Sequence, residues 1–328
     1  MTDSARRSVL VTGAGGYIGR EVMRHLAGTS GLVARLVALD VREPSKADRL
    51  EGVDYVTGDV RDPAIADVLR QYEIDTVVHL ATIVTPGKQH DREFEHSVDV
   101  LGTRNVLEAC LAAGVRHVIV TSSGAAYGYY ADNPQPLDED DAIRGNPEFA
   151  YSDHKRQVEE MLARYRAAHP ELKQLILRPG TVLGDRTRNQ ITDLFDKRLV
   201  LGLWGCEVPF VFIWDQDAAA CVVKGVEEGA EGIYNLAGDG ALSLKEIARL
   251  LKKPYVPIPV PLLKAALWVL RAVGATQYGP EQVNFLRYRP VLANERLKRD
   301  FGYKPRYTSR QTFEFFLEHR RSQVGHVS

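Results

Sequence analysis

Up to about residue 180, short β-branched apolar runs alternate with stretches whose apolar positions return every three or four residues. The runs predict strands at Ser8–Thr12, Arg35–Leu39, Val53–Asp62 (ending in a polar turn), Ile74–Thr82 and Val115–Ser122. The longer periodic stretches predict a helix over Arg20–Leu26, a short one from Pro63 to Tyr72, a long one from Phe94 to Ala113 closed by Gly114, and another from Tyr151 to about Ala168. Strand and helix in alternation give an α/β fold, a doubly wound parallel sheet with helices on both faces. Past Thr181 the alternation breaks into shorter, more aromatic and proline-rich pieces. Two stretches still read as returns to the sheet, the helical Asp215–Glu228 and the strand Gly232–Leu236. The expected division is a sheet domain over 1–180, with returning segments at about 214–239, and a smaller C-terminal substrate-binding lobe from 181–213 and 240–328.

The first strand runs into Gly13-Ala14-Gly15-Gly16-Tyr17-Ile18-Gly19 and then a helix. Glycines there let the backbone adopt left-handed angles and approach a pyrophosphate, while the open N–H groups of the helix start favour negative charge. Strand, glycine turn and helix are the Rossmann-type arrangement for a dinucleotide; a purely structural turn is the plainer alternative. About twenty residues on, Asp40 ends the second strand, where a carboxylate accepts from an adenosine ribose hydroxyl and repels a 2′-phosphate. This favours NAD over NADP, with Arg42 as the competing group.

Composition narrows the partners. The 328 residues are 45% apolar and 26% charged with net charge −1, which gives no electrostatic case for nucleic acid. The polar start, Met1 to Arg7, leads straight into the first strand and leaves no room for a signal peptide, so a cytoplasmic protein is expected. Cys110, Cys206 and Cys221 are odd in number and widely spaced, which fits reduced thiols, and no His/Cys/Asp grouping suggests a metal. Pro261–Arg271 is apolar at helical spacing and too short to span a bilayer; it reads as a helix packed on the lobe, with a membrane-surface helix as the alternative. Trp204, Phe210, Phe212 and Trp214 read as lobe core, or else as a wall for an apolar substrate.

Tyr151 and Lys155 stand four apart on one helix face. A free phenol titrates near pH ~10, and an adjacent ammonium favours its ionised form, which makes the pair a proton donor and acceptor for an alcohol or carbonyl. A hydroxyl from Ser122-Ser123, at the end of the fifth strand, adds a hydrogen bond for the reacting oxygen. His79 reads as the end of a buried strand rather than a base.

Taken with Asp59-Val60, His79 to Thr82, Gly102 to Val106 and Ser122 to Gly128, these motifs resemble the extended short-chain dehydrogenase/reductases, the NAD-dependent epimerase/dehydratase family. The resemblance spans about half the chain. It implies Ser123 as the catalytic hydroxyl, Tyr151 as acid/base, and Lys155 as its activator and a ligand of the nicotinamide ribose. It implies NAD contacts at Gly13, Gly16, Tyr17, Ile18 and Asp40, an adenine and ribose pocket from Asp59, Val60, Leu80, Ala81 and Thr82, and a homodimer through helices 94–113 and 151–168. Departures limit the substrate. Asp99 stands where the family often has Asn, Gly124 and Ala125 replace the acidic pair of dehydratases, and Thr181 replaces an Asn after the sixth strand. The diphosphate arginine has no clean counterpart, and Arg287 and Arg289 are the candidates. The implied reaction is hydride transfer at a secondary alcohol carbon by a nucleotide-sugar epimerase. A net alcohol dehydrogenase of hydroxysteroid type and a non-catalytic NAD-binding protein are the alternatives.

Overall fold

The chain enters its main sheet at β1 (Arg7–Thr12). After it come α1 (Tyr17–Gly28), β2 (Val33–Asp40), β3 (Val53–Thr57), α2 (Ile65–Gln71), β4 (Thr76–His79), α3 (Arg92–His96), α4 (Gly102–Ala113), β5 (His117–Thr121), α5 (Ala150–Ala168) and β6 (Lys173–Pro179). Next are β7 (Thr181–Leu183), α6 (Gln190–Asp196), β8 (Val200–Leu203), β9 (Pro209–Phe210), β10 (Phe212–Trp214), α7 (Asp215–Glu228) and β11 (Gly232–Leu236). The chain ends with β12 (Leu242–Ser243), α8 (Leu244–Leu251), β13 (Tyr255–Ile258), α9 (Val260–Ala272), α10 (Gln282–Arg287), α11 (Glu295–Arg299) and α12 (Ser309–Val324). The computed structural model describes residues 6–29, 31–84, 91–274, 276 and 279–324.

Seven parallel strands form one sheet in the order β11-β6-β5-β4-β1-β2-β3. Leu10 of β1 faces Val37 on one side and Val77 on the other, and side chains alternate between two fully buried layers. Val9 and Val11 join Val22, Met23 and Leu26 of α1 and Val222 and Val226 of α7. Leu10 points the other way, to Leu69 of α2, Leu107 of α4 and Leu162 of α5. β11 pairs with β6 at the sheet edge, and α7 packs on the α1 layer. The order reverses between β1 and β4, so the crevice for a ligand opens at their carboxyl ends.

Several boundaries differ from the pattern. The helix expected from Pro63 begins at Ile65, because the Asp62 carboxylate accepts from the Ala64 N–H in a turn at 2.9 Å. The helix expected over Phe94–Ala113 is α3 and α4 joined by a π-helical turn over Ser97–Leu101, and it closes on Gly114 at φ 72°. The fourth strand stops at His79, since the Ile83 N–H turns to the Asp99 carboxylate at 2.8 Å.

The smaller C-terminal region has its own core, in which Phe195, Phe210, Phe212, Phe313 and Phe316 are buried. Phe210 and Phe212 are core as expected. Trp214 packs against Tyr307 with ring centres 4.6 Å apart and planes tilted by 47°, whereas Trp204 is 71% exposed, because the tight turn after β8 carries it off that core.

Candidate active site

A cleft of about 650 Å³ runs from the glycine turn to the C-terminal region. At its sheet end Gly13 takes φ +67°, and a Cβ there would stand 2.7 Å from the Ala81 backbone nitrogen. A Cβ on Gly19 would stand 2.1 Å from the Gly13 carbonyl oxygen, so the helix meets the turn only because both are glycine. Among the described residues no side chain caps α1, and Gly16, Tyr17, Ile18 and Gly19 line the cleft with the open start of that helix. Asp40 ends β2 beside the turn; its carboxylate accepts from the Gly15 N–H at 2.9 Å and the Arg42 N–H at 3.1 Å. A backbone laid open against a helix start and a carboxylate at the next strand end fit the pyrophosphate and ribose of NAD.

The rest of the expected cofactor wall is spread along β3 and β4. Leu80 and Thr82 line the cleft, and Ala81 brings its backbone against Gly13. Val60 is buried, its side chain in the space a Cβ on Gly102 would need, and Asp59 is held by the Arg61 guanidinium at 2.6 Å. Tyr17 donates its hydroxyl to Asp215 at 2.5 Å and accepts from Thr187 at 2.9 Å, which ties α1 to the start of α7 and to the loop after β7. Burial, reinforced by the Asp215 hydrogen bond, holds that phenol un-ionised.

Ser123, Tyr151 and Lys155 meet in the middle of the cleft. Ser123 follows β5 and caps the turn over Gly124–Tyr127, accepting from the Ala125 N–H at 3.1 Å. Ser122 also lines the cleft, and its buried hydroxyl has no hydrogen-bond partner among the described residues. Tyr151 and Lys155 share a face of α5, with the ammonium 5.7 Å from the centre of the Tyr151 ring. That ammonium donates to the Thr121 carbonyl at 3.1 Å, which fixes its direction. Burial works against the expected phenolate, which the Lys155 ammonium and an oxidised nicotinamide would favour. Burial pushes the Tyr151 phenol up, its hydrogen bond to Ser123 pulls it down, and the Asp99 charge raises it further. Burial also lowers the Lys155 ammonium, against the pull of Asp99 and Glu159.

Asp99, the departure noted in the sequence, sits 2% exposed on the π-helical turn. It accepts from the Thr82 hydroxyl at 3.0 Å and the Ile83 N–H at 2.8 Å, and stands 3.4 Å from His154 Nδ1. It therefore shapes the cleft wall after β4 and places a carboxylate behind the tyrosine and lysine. His79 is a buried strand end, as its sequence position suggests. Its Nδ1 is 2.7 Å from the Thr12 hydroxyl and its Nε2 is 3.0 Å from the Thr103 hydroxyl. Thr103 already donates to the Asp99 carbonyl, so Nε2 carries the proton and Nδ1 accepts from Thr12. Burial, aided by the Lys155 charge, lowers His79 to about 4.

The far half of the cleft mixes aromatic wall and positive charge. Tyr129, Phe149 and Phe285 pack as a trio with ring centres 4.5 to 5.8 Å apart. Arg289 lies 9% exposed with its guanidinium 4.1 Å from the Phe210 ring centre and 5.3 Å from that of Phe285. It donates to the Thr181 hydroxyl at 3.3 Å, and its buried Nη1 has no partner among the described residues. Arg287 is not part of the cleft wall; its guanidinium lies 5.0 Å from the Tyr288 ring. Pattern reading missed Arg186, Arg188 and Asn189 on the rim, since the loop after β7 carries no motif. It also missed the Arg178–Glu159 pair. That pair is bidentate at 2.8 and 2.9 Å, with the Tyr127 hydroxyl accepting from Arg178 at 2.8 Å, and it pins β6 to α5 just before Thr181.

The profile of the NAD dependent epimerase/dehydratase family matches residues 9–237. The UDP-glucose 4-epimerase of Mycolicibacterium smegmatis is 31% identical to the chain, over 94% of this chain and 97% of that protein. An uncharacterised protein of Mycobacterium tuberculosis is 28% identical over 95% of this chain and 84% of its own length. The solved UDP-glucose 4-epimerase of Thermus thermophilus, in complex with NAD, has a TM-score of 0.72 at 22% identity and covers 96% of this chain and 99% of that one. This last is a likeness of fold. The family profile begins inside β1 and ends just past β11, so it takes in all of the seven-stranded sheet except the first two residues of β1: the chain belongs to the NAD-dependent epimerase/dehydratase family.

Proposed function

We propose that this protein is an NAD-dependent enzyme acting at a secondary alcohol carbon, with the net reaction of a nucleotide-sugar epimerase. NAD held along Gly13, Gly16, Tyr17, Ile18 and Asp40, with Asp59 to Val60 and Leu80 to Thr82 at its adenosine end, would supply reversible hydride transfer. Ser123 donates a hydrogen bond to the substrate oxygen and holds it against Tyr151. Tyr151 takes the hydroxyl proton as the carbon is oxidised and returns it when the ketone is reduced. Lys155, fixed by Thr121, supplies the positive charge that a buried phenol needs to act as a base and binds the nicotinamide ribose.

The observation that carries the substrate class is Arg289. A buried guanidinium without a carboxylate partner among the described residues is costly unless an anion completes it. With Thr181 beside it, it would hold the diphosphate of a nucleotide sugar, while the sugar stays free to present either face to the nicotinamide. The full-length likeness to an epimerase supports the same reading. A homodimer through α4 and α5 belongs to it, supported by Phe94 and Leu101 exposed beside those helices, as does a cytoplasmic setting, supported by buried free Cys110 and Cys221. The aromatic trio favours a second reading, a net dehydrogenase of an apolar alcohol. Incubation with UDP-glucose and NAD separates the two. An epimerised sugar without accumulating NADH supports the first, and inertness toward sugar nucleotides with stoichiometric NADH from an apolar alcohol supports the second.

A further inference from the structure

Nine of the large apolar side chains that the fold leaves exposed belong to one part of the C-terminal region: Leu199, Leu201, Trp204, Val256, Leu262, Trp268, Val269, Leu270 and Val273. The pairing of β8 with β13 puts Leu201 directly opposite Val256, so both project from one face of that ribbon. The Trp204 N–H donates to the Ile258 carbonyl at 3.0 Å, which sets the tryptophan beside the start of α9. Along α9 the edge packed on the core is Val260, Leu263 and Leu267, each partly buried. The exposed positions Leu262, Ala265, Ala266, Val269 and Val273 recur at i, i+3, i+4, i+7 and i+11, one helical stripe with no polar residue in it. A helix packed only on the lobe would turn polar groups to water there, and this one does not.

Charge selects the occupant. Residues 197–206 and 249–274 carry Lys197, Arg198, Arg249, Lys252, Lys253, Lys264 and Arg271 and not one acidic residue, in a chain whose net charge is −1. The flanking Glu281 and Asp196 are paired with Arg271 and Arg320, and Glu207 follows the turn of Trp204. Among the described residues no helix is long and apolar enough to cross a membrane. An apolar stripe with exposed Trp204 beside its start and a predominantly cationic surround is the pattern of a helix lying in the headgroup region.

We propose that the face formed by β8, β13 and α9 attaches this protein to the surface of an anionic lipid bilayer, with Trp204 and the Leu262–Val269–Val273 stripe entering the interface. The test is flotation of the full chain, loaded with NAD, with vesicles of phosphatidylcholine alone and of phosphatidylcholine with phosphatidylglycerol. Binding to the anionic vesicles should exceed binding to the neutral ones by at least about tenfold and fall as salt is raised. Leu262→Glu with Val269→Glu should abolish it while NAD binding persists, and Arg249→Glu with Lys252→Glu, which leaves the apolar stripe intact, should weaken it. Protein that stays in solution with anionic vesicles overturns the proposal, as does undiminished binding by both variants. Ultracentrifugation in which the stripe variant splits a dimer also overturns it, by giving the face to a second copy of the chain.

Discussion

Arg289 donates to the Thr181 hydroxyl at 3.3 Å, and that hydroxyl is the one protein acceptor it has among the described residues. A structural arginine in this fold is satisfied quite differently. Arg178, also buried, is clasped by Glu159 through two hydrogen bonds. The contrast sets up a test in which stability and binding move apart. Arg289→Met keeps a long stem between Phe210 and Phe285 and removes the charge, so the melting temperature should hold or rise. The KM for a sugar nucleotide should rise by about tenfold or more, the worth of a charge-assisted hydrogen bond. A lower melting temperature with unchanged KM would make Arg289 a structural residue.

Tyr151→Phe removes the proton carrier and leaves the ring on which the Lys155 ammonium rests at 5.7 Å. Turnover should drop by about two orders of magnitude or more with NAD affinity nearly unchanged, since general acid–base groups are worth that much. Turnover and binding measured on the same preparation decide it.

Asp40 accepts from the Gly15 N–H at 2.9 Å, which holds the turn, and the adenosine ribose is its proposed partner. Asp40→Ala should weaken NAD by about tenfold and narrow its advantage over NADP, because the repulsion of a 2′-phosphate goes with the carboxylate. Steady-state constants for both cofactors measure this, and an unaltered ratio would remove Asp40 from cofactor choice.

His79 ties stability to acidity. Its folded pKa of about 4 lies below the ordinary value of 6.5, so as pH falls between these values the unfolded chain takes up a proton that the folded chain refuses. Stability should therefore be lost from about pH 6.5 downward, by about 3 kcal/mol at the acid end from this group. Denaturant unfolding at stepped pH would show it, and a flat profile over that range would mean the imidazole is protonated inside the fold.

The residues that could be read in advance are those whose chemistry depends on local spacing. The turn from Gly13 to Gly19 and the pair Tyr151 and Lys155 are set by four-to-seven-residue patterns, and the sheet by alternation of buried strands with helices. What pattern reading could not supply comes from distant segments meeting. Arg289 and Thr181 are brought together across more than a hundred residues, and nothing local separates Arg289, in the cleft, from Arg287, beside Tyr288. The burial that raises the Tyr151 phenol comes from distant segments in the same way, and the spacing of Tyr151 and Lys155 does not show it. The stripe on α9 was legible as an amphipathic period, and only the packing of Val260, Leu263 and Leu267 shows which side is left bare.

The most direct test of the proposed chemistry is to incubate the protein with UDP-glucose and NAD while following both the sugar and the cofactor. The account predicts conversion to the epimeric sugar nucleotide with the cofactor recovered as NAD, and its loss in Tyr151→Phe. NADH accumulating mole for mole with an oxidised product, or full activity without Tyr151, would contradict it.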